Sequence, residues 1–257
     1  MKTLRLFLFI VLFVILISFL IKLFFAARES NYGSSHRYTI GVLRPGGTLE
    51  EVLSFDPTTK SSVILTIDGQ EKNPSPEQIM GINFDGTITA GTSNPGDING
   101  LLLDALFHRS HVASSVGAID LVRLLLLENS IPETSQTTRS LTLPLDSLQV
   151  DKISASLFAD PAFSQDNASI QIINGTAEAG FGKRLERLLS NIGANVVVVS
   201  TSQSETPKTE LLYFGNETSS VRRLGQILHL LPHKGGRKTI ADIVIILGQS
   251  SDNTAEF

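Results

Sequence analysis

From Leu6 to Ile21 only Ser18 interrupts an unbroken apolar run, and after Lys22 the run resumes from Leu23 to Ala27. A helix over Leu6–Ala27 rises about 33 Å, enough for a hydrocarbon core of about 30 Å. Lys22 lies one turn from the far end, where its stem can snorkel to the headgroups. Lys2 and Arg5 precede the run, which places the N-terminus in the cytoplasm, although Arg28 and Arg37 follow it. A cleaved signal peptide is the rival reading. Cleavage after Ala27 puts Phe25 at the −3 position, where a small residue is wanted. The expectation is a single-pass anchor in the cell membrane over residues 1–27, with the rest of the chain outside the cytoplasm.

Beyond that run the 257 residues leave room for one large domain or two small ones. A net charge of −4 gives no electrostatic footprint for nucleic acid. The chain has no cysteine, so disulfide frameworks, thiolate metal sites and cysteine nucleophiles are excluded.

Residues 28–37, RESNYGSSHR, read as a polar tether. Tyr38–Leu43, Leu49–Phe55 and Ser62–Ile67 read as strands separated by Gly46-Gly47 and by DPTTK, with Phe84–Thr89 a fourth. Asp97–Phe107 and a leucine-rich Ser115–Glu128, starting from a Ser cap, read as helices. ETSQTTRS (133–140) reads as a polar loop, and Leu141–Leu145 as a short strand that Pro144 confines to an edge. Residues 38–158 therefore form one α/β domain, 159–168 a linker, 169–249 a second domain and 250–257 a polar tail.

The second domain has the clearer pattern. Ile170–Ile173 is a strand. Gly180–Asn191 is a helix with Phe181, Leu185, Leu188 and Ile192 on one face, ended by Gly193. Asn195–Ser200 reads as a buried strand of four valines, and Leu211–Phe214 as another. Ser219–Leu231 is an amphipathic helix closed by Pro232, and Ile243–Leu247 the last strand. The order is β-α-β-β-α-β.

Between its first strand and first helix this domain carries Asn174-Gly175-Thr176 and Gly180. The Gly175–Gly180 spacing is that of a phosphate-binding loop, but Phe181 stands at the lysine position and Gly182 at the hydroxyl position. Lys183 comes two residues late, rotated by about 200° around the helix. Asn174 and Gly175 read instead as a tight turn tolerant of positive φ, with Asn174 or Thr176 as a cap. Gly180 and Gly182 let the helix approach the sheet, and a partner or an anion at the helix start is the residual functional use. His108 and His111 are too few ligands for a closed metal site. Asn167, Asn174 and Asn216 begin Asn-x-Ser/Thr triplets, which arise often by chance.

IQIINGTAEAGFGKRLERLLSNIGANVVVVS, followed by TELLYFGNETSSVRRLGQIL and ADIVIILG, resembles the C-terminal domain of LytR-type cell-envelope proteins. Asn174, Gly175, Thr176, Gly180 and Gly193 carry the resemblance over about 169–249. LEEVLSFDPTTKSSVILTIDGQ (49–70) looks like the early strands of the LytR–CpsA–Psr (LCP) domain. That family transfers lipid-linked glycopolymers onto peptidoglycan with magnesium at a pyrophosphate. Aligned through Asp56-Pro57, Thr48 stands where that pattern has an Asp, and Gly69 and Gln70 where it has Arg and Asp. The resemblance thus implies a degenerate LCP-like scaffold without the charges that hold a pyrophosphate and its metal.

The expected protein is an N-terminal transmembrane helix, a degenerate LCP-like α/β domain and a LytR-type module. It needs no cofactor and binds wall polymer or envelope proteins. The alternative is an active, magnesium-dependent phosphotransferase that draws its cations from Arg109, Arg123 or Arg139.

Overall fold

The computed structural model describes residues 2–28, 30–69, 79–91, 97–108, 112–236 and 240–249. Helix α1 covers Lys2–Arg28. Its described apolar side chains, among them Phe9, Leu12, Phe13, Leu20 and Phe24, are exposed. Among the described residues no helix is long and apolar enough to cross a membrane. The single-pass span over Leu6–Ala27 and the membrane localisation drawn from it are corrected accordingly. The fold is mixed α/β with two sheets.

Alternating apolar residues build the first sheet. β1 (Tyr38–Leu43), β2 (Leu49–Asp56) and β3 (Ser61–Asp68) form an antiparallel meander, extended by β4 (Gly86–Ala90), β5 (Val112–Ser114) and β6 (Gln136–Thr142) in the order β5-β4-β1-β2-β3-β6. Both faces are covered. Tyr38, Ile40, Val42, Leu53, Phe55, Ile64 and Ile88 point to α2 (Ile98–Phe107) and α3 (Ala118–Glu128). Leu49, Val52, Val63, Leu65 and Ile67 point the other way. Leu49 and Val52 share that second face because a register shift beside Leu43 lets β2 bulge at Glu50.

The second face packs on the C-terminal module. α4 (Ser147–Leu157) and α5 (Pro161–Asp166) lead into β7 (Ser169–Asn174), α6 (Phe181–Asn191), β8 (Asn195–Thr201), β9 (Glu210–Tyr213), α7 (Ser219–Ile227), the short β10 (His233–Lys234) and β11 (Ile243–Leu247). The second sheet has the order β10-β9-β11-β7-β8. One continuous apolar cluster joins Leu49, Val63, Leu65 and Met80 to Phe158, Ile172, Leu185, Leu224 and Ile245. Each such side chain contributes about 1.5–3 kcal/mol on burial. The C-terminal module is therefore fused to the first sheet through a shared core.

Several local readings change. The stretch read as the loop ETSQTTRS holds a short 3-10 turn, Glu133–Ser135, and most of β6. Among the described residues β6 pairs only with β3, so its outward side chains stay polar and hide the strand signal. The stretch read as a linker holds α5, capped by Asp160, whose side chain accepts from the Ala162 amide. α3 begins after Gly117 rather than at a Ser cap, and α7 ends at Ile227, leaving Leu231 exposed. β8 is an edge strand, half-exposed rather than buried.

Gly69 has a structural reason of its own. Its φ is +80°, and a Cβ there would sit 2.5 Å from the Leu143 carbonyl oxygen. The same neighbour donates its amide to the Asp68 carbonyl at 2.8 Å, so the two backbones are held together. Gly69→Ala should lower stability by about 1–3 kcal/mol in urea denaturation, from left-handed strain and backbone clash. Unchanged stability would mean that this contact is absent.

Candidate functional site

The Asn174 turn sits at the C-terminal end of β7. Asn174 is buried; its Oδ1 accepts from the Thr176 amide at 3.1 Å and the Thr176 hydroxyl at 2.7 Å. Its Nδ2 donates to the Glu178 carbonyl at 2.9 Å. Gly175 is required for space, not for positive φ as the sequence led us to expect. A Cβ there would lie 2.4 Å from Thr206 Oγ1 and 2.8 Å from the Leu247 carbonyl oxygen. Gly180 does take positive φ, +83°, as the N-cap of α6, and Gly182 brings that helix against Val199. The polar groups of Asn174 are thus engaged in closing the sheet end.

The densest polar constellation lies where the two sheets meet. Arg223, on the buried face of α7, is 4% exposed at its side chain. Its Nη1 and Nη2 donate to the two carboxylate oxygens of Asp85 at 2.6 and 3.1 Å. Nε donates to Asp160 at 2.8 Å, and Nη2 also to the Arg37 carbonyl at 3.2 Å. Asp85 in turn accepts from the Thr39 amide, and Asp160 from the Arg37 amide. Arg37 continues the network to Ala159, Ser54 and Asp56, and Thr58 and Thr59 complete the shell of Asp56.

Charge and burial oppose each other here. Burial pulls the Arg223 guanidinium down, but Asp85 and Asp160 outweigh it and hold the group above its ordinary value. Burial pulls Arg37 below its ordinary value despite Asp56 and Asp160. His36, buried beside them, is lowered by burial first and Arg223 second, against Asp85 and Asp160. Its Nε2 lies 3.1 Å from the Asn31 carbonyl oxygen, so the neutral ring donates there.

A cleft of about 440 Å³ opens next to this cluster, at the start of α3. Ser30, Asn31, Tyr38, Asp85, Ser114, Ser115 and Asp120 supply its polar lining, and among the described residues none that lines it is basic. Asp120 accepts from the Ser30 hydroxyl, the Asn31 amide and the Tyr38 phenol. Burial, then Asp85 and Asp120, push the Tyr38 phenol far above its ordinary range, so it cannot serve as a base near neutrality. Among the described residues no three His, Asp or Glu side chains are arranged to hold a metal.

Among the described residues the positions weighed for phosphotransfer do not converge. Thr48 closes the β1–β2 turn, its carbonyl accepting from the Arg44 amide at 2.8 Å. Gly69 faces Leu143, and Gln70, Arg109 and His111 lie outside the described residues. Arg123 donates to Ser30 and the Tyr32 carbonyl and stacks over the Tyr32 ring at 5.8 Å. Arg139 sits on the edge strand β6. His108 pairs with Asp104 at an exposed helix end.

The Arg223 cluster escaped the sequence reading because its partners are remote in sequence. One signal existed: Arg223 lies one place before Leu224 and four before Ile227, inside the apolar stripe of α7.

Two measurements test the cluster. Arg223→Ala leaves two buried carboxylates unpaired and should cost about 3–5 kcal/mol in chemical denaturation; a loss under about 1 kcal/mol would refute the contacts. His36 has a folded pKa below its ordinary 6.5, so the native state favours the neutral ring. Its contribution is complete above about pH 6.5 and is lost as pH falls towards the folded value. Stability of the parent should therefore drop more steeply from about pH 7.5 to about pH 5 than that of His36→Gln, which keeps a donor for Asn31; parallel curves would exclude this linkage.

Comparison with known proteins bears on the C-terminal module. Residues 167–250 match the family model described as LytR cell envelope-related transcriptional attenuator, whereas the LCP-like resemblance read over 38–158 gains no family match. No curated protein and no solved structure matches the chain. The match ties residues 167–250, the unit built on β7–β11, to a cell-envelope-related role.

Proposed function

We propose that the chain is a non-catalytic binding or scaffolding component of cell-wall assembly, in which the C-terminal module recognises wall polymer or an envelope protein. The observation that carries this reading is the occupation of each described charged group at the sheet junction. Arg37 and Arg223 are held by Asp56, Asp85 and Asp160, and among the described residues none that lines the adjoining cleft is basic. A diphosphate leaving group needs positive charge aimed at its oxygens in the transition state. Of the arginines named for the phosphotransferase alternative, Arg123 on α3 is engaged by Ser30 and the Tyr32 carbonyl, and Arg139 lies on β6. Gly69 has no room for the arginine of the LCP pattern.

The family match supports the envelope setting, and the fused core supports a rigid scaffold rather than a tethered pair of modules. The test uses the full chain with purified cell-wall sacculi and, separately, with a polyprenyl-pyrophosphate-linked glycan and magnesium. Co-sedimentation with the sacculi, or copurification with envelope proteins, is expected, with no release of polyprenyl phosphate. Metal-dependent transfer of the glycan would overturn the proposal.

A further inference from the structure

Buried charges are ordinarily paired with opposite ones, and the cleft beside the sheet junction departs from that rule. The network behind it sets three carboxylates, Asp56, Asp85 and Asp160, against two guanidiniums, Arg37 and Arg223. Asp120, 3% exposed, adds a fourth carboxylate on the cleft wall. It accepts from the Ser30 hydroxyl, the Asn31 amide at 3.2 Å and the Tyr38 hydroxyl at 3.5 Å, all of them neutral donors. Arg123 donates to Ser30 Oγ at 2.8 Å and stops one hydroxyl short of the carboxylate. The positive end of α3, equivalent to about half a charge, offsets part of the excess. The wall stays negative.

A second observation concerns acceptors. Tyr38, 1% exposed, lines the same cleft, and its hydroxyl hydrogen goes to Asp120. Among the described residues no donor reaches the Tyr38 oxygen, although a phenol can accept as well as donate. A carboxylate offers about four acceptor sites, and Asp85 and Asp120 each have three in use, so each keeps one. An anion is repelled here. Among the described residues no three carboxylates or imidazoles are arranged for a metal, so the fitting cation is one that donates hydrogen bonds. The rest of the wall suits hydroxyls: Ser114 and Ser115 line it, and no side chain caps the first-turn amides of α3. Its volume of about 440 Å³ falls within the range of small-molecule sites.

We propose that this cleft binds a protonated amino sugar, its ammonium donating to Asp120, Asp85 and Tyr38 and its hydroxyls meeting Ser114, Ser115 and the start of α3. An ammonium brings three donors and one positive charge, which match the three open acceptors and the negative excess. Acylating the amine removes that charge, so the site discriminates the free amine from its amide. A phosphate or carboxylate on the same sugar is disfavoured by the two aspartates. The site lies outside residues 167–250 and does not rest on wall binding by the C-terminal module.

The test is isothermal titration calorimetry of the full chain, in a buffer that keeps the amine protonated, with circular dichroism to verify folding of each variant. Glucosamine should bind with a Kd of about 1 mM or tighter. Glucose and N-acetylglucosamine should bind at least about tenfold more weakly, because neither carries the charge. Asp120→Asn keeps an acceptor oxygen but removes the charge, and should weaken glucosamine about tenfold or more. Ala118→Lys, at an exposed position on the wall, supplies the chain's own ammonium and should abolish binding even if Asp120→Asn fails to fold. No binding of glucosamine to the parent overturns the proposal. Equal binding of N-acetylglucosamine also overturns it and makes the cleft a neutral-glycan site. Equal binding of 1,5-diaminopentane overturns the sugar assignment, and unchanged glucosamine binding in either folded variant places the ligand elsewhere.

Discussion

A guanidinium taken out of water must find partners for its five donors, or the fold that buries it pays heavily in free energy. Arg223 meets this requirement by drawing Asp85 from the first sheet's side, Asp160 from the start of α5 and the Arg37 carbonyl from the segment entering β1. Each partner belongs to a different part of the chain. The charge can therefore be buried only when both sheets have assembled, and its bidentate geometry fixes the angle at which they meet. Ser30, Asn31 and Arg37 are drawn in as well, so the segment after α1 is strapped to α3 and to the junction.

Around this polar centre the apolar core supplies the driving force and the second polar contact supplies register. Asn191, at the end of α6, donates to the Gly81 carbonyl and to Asp151 on α4, and Ser154 donates to the Met80 carbonyl. These bonds lie across the same interface as the shared apolar cluster. Hydrophobic burial is non-directional, and a sheet face of valines and isoleucines could slide against its neighbour. The directional bonds at Arg223 and Asn191 remove that freedom from two places. A module joined this way is held to the first sheet at both places.

What the sequence disclosed follows the range of the interactions concerned. β1–β3, β7, α6 and the Asn174 turn were legible because alternation, a helical stripe and a self-bonded Asn-Gly-Thr are set by residues within a few places of one another. β6 was not, since an edge strand with polar outward residues reads as a loop. β8 was recognised as a strand yet misplaced in the sheet, because a run of valines looks alike at the centre and at an edge. Gly175 was legible as a required glycine, but the cause proved to be the nearness of Thr206 and Leu247, which no local pattern encodes. The Arg223–Asp85 pair, 138 positions apart, lay beyond any local reading.

The departure from the LCP pattern is likewise a property of the backbone and not of one side chain. At Gly69 the chain turns through positive φ directly against the Leu143 carbonyl, and the Leu143 amide is bonded to Asp68. An arginine there would have to displace the segment after β6, and with it the pairing of Asp68 with Thr142 at the sheet edge. Position 69 is closed to a side chain by the same contact that finishes the strand. Chemistry at that point would therefore require a different course for two neighbouring backbones, whereas binding through the sheet faces and edges requires none.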